Sequence, residues 1–103
     1  YFRNIQFLKN ANLKYCNKTI IDINDQRENN FIFNIIKYAP INSSILDIGA
    51  WKGDTAIYLA NKLKQINRQD IKIYCFEPNK NHCSYIEKIK NNNRLNICVI
   101  NYI

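Results

Sequence analysis

Glycine is nearly absent from this chain: two residues in 103, Gly49 and Gly53, only four positions apart. That scarcity removes two common phosphate-binding loops. The dinucleotide fingerprint G-x-G-x-x-G is missing because position 51 is Trp, and the P-loop fails because Gly53 is not followed by Lys-Ser/Thr. Histidine is scarcer still. His82 stands alone, so a histidine-cluster metal site within the chain is excluded. The four cysteines, Cys16, Cys75, Cys83 and Cys98, show no C-x-x-C spacing. Cys75 and Cys98 fall in strand-like runs and read as buried free thiols. A reducing, cytoplasmic interior is the expected compartment. No apolar run approaches the roughly 20 residues that cross a bilayer, so no membrane span is expected. No secretory signal is visible, although the first residue is Tyr1 rather than Met.

Acidic residues are also few, 8 against 15 Lys+Arg, for a formal charge of +7. A basic balance favours anionic partners, nucleic acid among them. Here the lysines are scattered among an excess of Asn and Ile along the whole chain, and a compositional origin is the better reading. What the chain does hold is apolar residues, 47% of the total, enough for the core of one small domain.

Residues 1–27 form a lead-in segment in which "FRNIQFLKNANL" suits a short helix and "KTIIDI" a short strand. From Glu28 the pattern firms. "ENNFIFNIIKYA" sets Phe31, Ile32, Ile35 and Tyr38 on one helical face, with Asn29 or Asn30 as N-cap and Pro40 beyond the end. "SSILDIG" reads as a strand apolar enough to be covered on both faces. A helix follows from Asp54, as N-cap, to Ile66, burying Ala56, Leu59, Ala60 and Leu63. "IKIYCFE" is the next strand. A helix over residues 79–90 sets His82, Tyr85, Ile86 and Ile89 on one side, away from the glycine turn. "NNNR" reads as a loop and "LNICVINYI" as the last strand. The order α-β-α-β-α-β implies a parallel sheet.

In such a sheet ligands bind beyond the carboxyl ends of the strands. "ILDIGAWKGDTAIYLA" puts both glycines there. They permit positive φ and close approach of the backbone to a ligand, and the helix start adds unpaired N–H groups that attract an anion. Asp47 can accept from an ammonium. Glu77 ends the next strand, 28 residues after Gly49, and can take the hydroxyls of a ribose. A ligand with an amino acid end and a ribose fits these parts, and S-adenosylmethionine has both. A nicotinamide cofactor would want its acidic residue earlier, at roughly 20 residues.

The same residues carry a resemblance. "ILDIGAWKGDTAIYLA" followed by "IYCFEPNKNHCSYIEKIKNNNRLNICVINYI" resembles the FkbM family of S-adenosylmethionine-dependent methyltransferases, over residues 28–103. The resemblance implies an α/β chain forming the N-terminal portion, strands 1 to 3, of a Rossmann-like class I methyltransferase with a doubly wound sheet. It implies S-adenosyl-L-methionine as cofactor, with Asp47, Gly49, Ala50, Gly53 and Thr55 around its methionine part. Glu77 would hold the ribose, with Pro78 and Asn79 flanking the adenine. Trp51 departs from the family, which often has Asn there, and its large side chain would cover the cofactor or obstruct it. The implied reaction is O-methylation of a sugar, glycan or similar small-molecule hydroxyl.

Strand 1 is central in that family's sheet. The chain is therefore expected to be the N-terminal part of a longer domain, with the catalytic and acceptor-binding residues in the missing C-terminal half. The alternative is a non-catalytic, truncated Rossmann-like module binding a protein or nucleic-acid partner through its basic surface.

Overall fold

The computed structural model describes residues 26–102. The helix expected in "FRNIQFLKNANL", the strand expected in "KTIIDI" and Cys16 lie outside the described residues, as does nearly all of the lead-in segment 1–27. The elements run α1 (Gln26–Ile36), β1 (Ser44–Ile48), α2 (Asp54–Gln65), β2 (Lys72–Glu77), α3 (Lys80–Asn93) and β3 (Ile97–Asn101). The three strands form one parallel sheet in the order β1-β2-β3, with Ile45 opposite Ile73 and Ile73 opposite Ile97. The chain is thus α/β, with a sheet of the Rossmann-like kind.

Both crossovers step in the same direction across the sheet, so α2 and α3 cover the same face. Ile45, Ile73, Cys75 and Ile97 point into that layer. There they join Ala56, Leu59, Ala60 and Leu63 of α2, Ile86 of α3, and Phe31, Ile32, Phe33 and Ile36 of α1 in one buried cluster. The other face behaves differently. Leu46 and Ile48 are 48% and 43% exposed, and Tyr74, Phe76, Cys98 and Ile100 are half-buried. The continuous apolar run of β1 suggests cover on both faces. Among the described residues the buried side chains instead alternate along β1, and the helices pack on one side only.

Several helix ends differ from the sequence expectation. α1 starts at Gln26, so Asn29 is interior to it rather than a cap, and Tyr38 lies past its end, 78% exposed. The N-cap of α2 is Gly53, in the left-handed region with no side-chain cap bond, and Asp54 is the first helical residue. There its charge still favours the positive helix end. Asn79, read from the sequence as the first helical residue, is instead the N-cap of α3, its side-chain oxygen accepting from the backbone N–H of Asn81 at 2.8 Å and His82 at 3.2 Å. The expected "NNNR" loop is instead the last turn of α3, closed by Arg94 in the left-handed conformation. Asn93 supports that turn by donating to Ile89 O and accepting from Lys64 Nζ.

The amino edge of the sheet is tied by one side chain. Arg68 donates to the carbonyls of Lys37 at 2.9 Å and Ala39 at 2.8 Å, and pairs with Asp70 at 3.0 Å. Asp70 in turn accepts from Asn42 N at 2.8 Å. The Arg68 hydrogen bond, then the Asn42 amide, hold the Asp70 carboxyl down at about 2. This joins the α1–β1 connection to the α2–β2 connection, leaving the opposite, carboxyl edge to the glycine turn.

Candidate functional site

At the carboxyl edge the chain leaves β1 through Gly49 (φ 74), Trp51 (φ 58) and Gly53 (φ 80), three left-handed residues within five positions. Gly49 N and Ala50 N both donate to Phe76 O, at 2.7 and 3.0 Å, and Gly53 N donates to Ala50 O at 2.9 Å. The turn is therefore laced to the end of β2. Those amides are spent on the protein itself. Gly53 has a second reason to be glycine. A Cβ there would stand 2.7 Å from Ile86 Cγ1 of α3, so the residue is small for close packing. Donors for an anion remain at the start of α2, where the first-turn amides have no partner within the helix.

Trp51 N donates to Glu77 Oε1 at 2.6 Å and Asn79 N donates to Glu77 Oε2 at 3.0 Å. Glu77 is 5% exposed, at the last position of β2, with its side chain on the helix-covered face. Burial disfavours its charge. The Asn79 and Trp51 amides, with His82 beside them, outweigh burial and hold the carboxyl below its ordinary range. Glu77 is thus an ionised acceptor at the strand end.

His82 belongs to this group too. Its Nδ1 lies 3.5 Å from Glu77 Oε2, and its ring meets the Trp51 ring edge-on, centroids 5.8 Å apart. Helical periodicity alone turns it away from the glycine turn, as part of a long apolar stripe with Tyr85. In the structure Tyr85 is 49% exposed, and the buried residues of α3 are Cys83 and Ile86. The overlooked signal is spacing. A side chain in the first turn of a helix that begins three residues after a strand stays at that strand's carboxyl edge. Trp51 is half-exposed over this group, with Lys52 Nζ 5.4 Å from its ring centroid.

The other expected residues are spread more widely. Asp47 is buried on the helix-covered face of β1, opposite Cys75. Burial, and secondarily the Asp47 charge, push the Cys75 thiol up, which makes it an inert core group. Thr55 is buried and donates to Asn29 Oδ1 at 3.0 Å, a link between α1 and α2. Pro78 and Asn79 are exposed at the start of α3. Beside them Asn101, at the end of β3, donates to Glu77 O at 3.0 Å and Pro78 O at 2.8 Å. Asn29, His82 and Asn101 are the polar groups of this edge that sequence reasoning did not assign to it. Glu28, 1% exposed on α1, is a further buried carboxylate that it passed over.

Chemically, the edge offers one fixed carboxylate, an imidazole and an indole beside it, and a helix start close by. No helix among the described residues is long and apolar enough to cross a membrane. No group of three or more His, Cys, Asp or Glu among them could hold a metal ion. Compared with protein-family models and with curated proteins, the chain matches none.

Proposed function

We propose that the chain binds S-adenosylmethionine at the carboxyl edge of its sheet and serves as the cofactor-binding portion of a methyltransferase acting on a hydroxyl acceptor. One observation carries the reading: Glu77, buried at the end of β2, is fixed by an amide of the glycine turn and an amide of the α3 cap. An ionised carboxylate has about four lone-pair sites. The two amides leave the carboxylate room to accept from a ribose hydroxyl, so the residues fit the nucleoside end of this cofactor.

Glu77 would hold the ribose, and Trp51, Pro78 and Asn79 would border the nucleoside. Asp47, Gly49, Ala50, Gly53 and Thr55 would shape the methionine end. When bound, S-adenosylmethionine supplies an electrophilic methyl group on a sulfonium. The chain's own task is positioning. The bonds from Gly49 N and Ala50 N to Phe76 O lock the turn before any ligand arrives, and the first-turn amides of α2 give a carboxylate a place to dock.

The test is a calorimetric titration of the full chain with S-adenosylhomocysteine, alongside Glu77→Ala and Glu77→Gln. Hydrogen bonds to a charged group are worth about 1.5–3 kcal/mol, so either variant should bind roughly 10- to 100-fold more weakly. Urea midpoints check that both remain folded. Equal affinity in folded variants would remove Glu77 from the site.

A further inference from the structure

A ribose presents two neighbouring hydroxyls, and Glu77 is more heavily engaged than its two backbone bonds suggest. Its Oε2 already accepts from Asn79 N, and His82 Nδ1 approaches the same oxygen at 3.5 Å. An ionised carboxylate only accepts, so the ring nitrogen facing it carries the hydrogen. With Trp51 N on Oε1, the two amides take two of about four lone-pair sites, and the ring nitrogen, at 3.5 Å and without a formed hydrogen bond, faces a third. One site is left on the carboxylate for a diol that needs two acceptors.

The same contact supplies the second. A neutral imidazole with its hydrogen on Nδ1 has a bare Nε2, which accepts. The edge-on Trp51 ring limits how the imidazole can turn. We propose that His82 is a recognition residue of the nucleoside site, its tautomer set by Glu77, with Nε2 accepting from one ribose hydroxyl while Glu77 accepts from the other. The inference rests on the nucleoside reading of Glu77 and adds to it a division of the diol between two side chains.

His82 is the only histidine in the chain, so its imidazole nitrogen signals in NMR need no assignment. The first experiment is a nitrogen spectrum of the ligand-free full chain at about pH 8. The Nδ1–H tautomer is expected in the wild type and its preference should vanish in Glu77→Gln. A wild-type Nε2–H tautomer overturns the proposal.

The second experiment titrates wild type, His82→Phe and His82→Gln with S-adenosylhomocysteine and with its 2′-deoxy and 3′-deoxy analogues, folding being checked by urea midpoint. The phenyl ring keeps the contact with Trp51 and removes both nitrogens. In the wild type the analogue lacking the hydroxyl held by Glu77 should bind roughly 10- to 100-fold more weakly, and the one lacking the hydroxyl held by His82 about two- to tenfold. In His82→Phe one of those two losses should disappear, and His82→Gln, which keeps an acceptor, should restore part of it. Identical losses in wild type and His82→Phe overturn the proposal while leaving the Glu77 assignment intact. Failure of every protein, wild type included, to bind any of these ligands overturns the nucleoside reading and the hydroxyl assignment together; the tautomer spectrum then decides the Glu77–His82 pairing alone.

Discussion

Replacing Gly53 by Ala adds one methyl group and should disturb the molecule in two separable ways. The residue sits at φ +80, and a Cβ there would meet Ile86 Cγ1 at 2.7 Å and Cδ1 at 3.1 Å. The left-handed backbone costs an L-residue about 1–2 kcal/mol. Ile86 is fully buried and cannot swing aside, so overpacking adds about 1–3 kcal/mol. The sum, about 2–5 kcal/mol, is a large share of the roughly 5–15 kcal/mol that holds a small domain folded. With a urea slope of about 1–3 kcal/mol per molar, the midpoint should fall by roughly 1 M or more. A double-mutant cycle with Ile86→Ala separates the causes. Ile86→Ala alone costs about 2–5 kcal/mol for the lost core contacts. The double variant should be more stable than additivity allows by about 1–3 kcal/mol, because the methyl group added at position 53 partly fills the space. Backbone strain should persist in both Gly53 variants. Additivity within about 0.5 kcal/mol would refute the packing half of the argument, and an unchanged Gly53→Ala midpoint would refute all of it.

Other perturbations test neighbouring claims. Thr55→Val leaves Asn29 Oδ1 buried without its donor and should cost about 1–3 kcal/mol by urea melting; pairing it with Asn29→Ala should cost less than the sum of the two. Arg68→Lys should lower the urea midpoint as Arg68→Ala does, since an ammonium cannot span the carbonyls of Lys37 and Ala39 as the planar fork does. Asp70 is held at about 2 in the folded protein, below an unfolded value of about 3.9. A depressed carboxylate stabilises the fold fully above its unfolded pKa and loses that contribution as pH falls through the folded one. The midpoint gap between wild type and Asp70→Asn should therefore be constant above about pH 5 and close between about 4 and 2. A gap that does not change with pH would show that the Arg68–Asp70 pair adds nothing through charge.

Strands were the most legible part of the fold, because "ILDI", "KIYCFE" and "ICVIN" are short apolar runs bounded by turn residues. The α2 stripe was equally plain: Ala56, Leu59, Ala60 and Leu63 are all 3% exposed or less. Caps read less well. Asp54 has the residue type of an N-cap, but the turn needs a left-handed residue at position 53, and that geometry moves the cap to Gly53. Three asparagines suggest a loop. In place they extend α3, because Asn93 and Arg94 satisfy its last carbonyls instead of ending it early. At the site, Glu77 was visible from its strand-end position. Asn29 was not, since its partner Thr55 is 26 residues away and a long-range side-chain bond leaves no periodic trace. His82 was missed for a related reason: helical periodicity gives a residue's angle about the axis but says nothing of how close a strand end lies.

The parallel register has a kinetic consequence. Ile45 pairs with Ile73 and Ile73 with Ile97, separations of 28 and 24 residues, so no strand pair can form from a local hairpin. Each must close a long loop before its first interstrand hydrogen bond forms, which slows folding relative to a helical bundle of the same length. Helix α3, with its own Asn79 cap, is the element best equipped to form early beside β2. The Arg68 ties to Lys37 and Ala39 span 31 and 29 residues and can close only once β1 is in register. Arg68→Ala should then leave the refolding rate nearly unchanged and speed unfolding, making this side chain a latch on the finished structure that takes no part in its assembly.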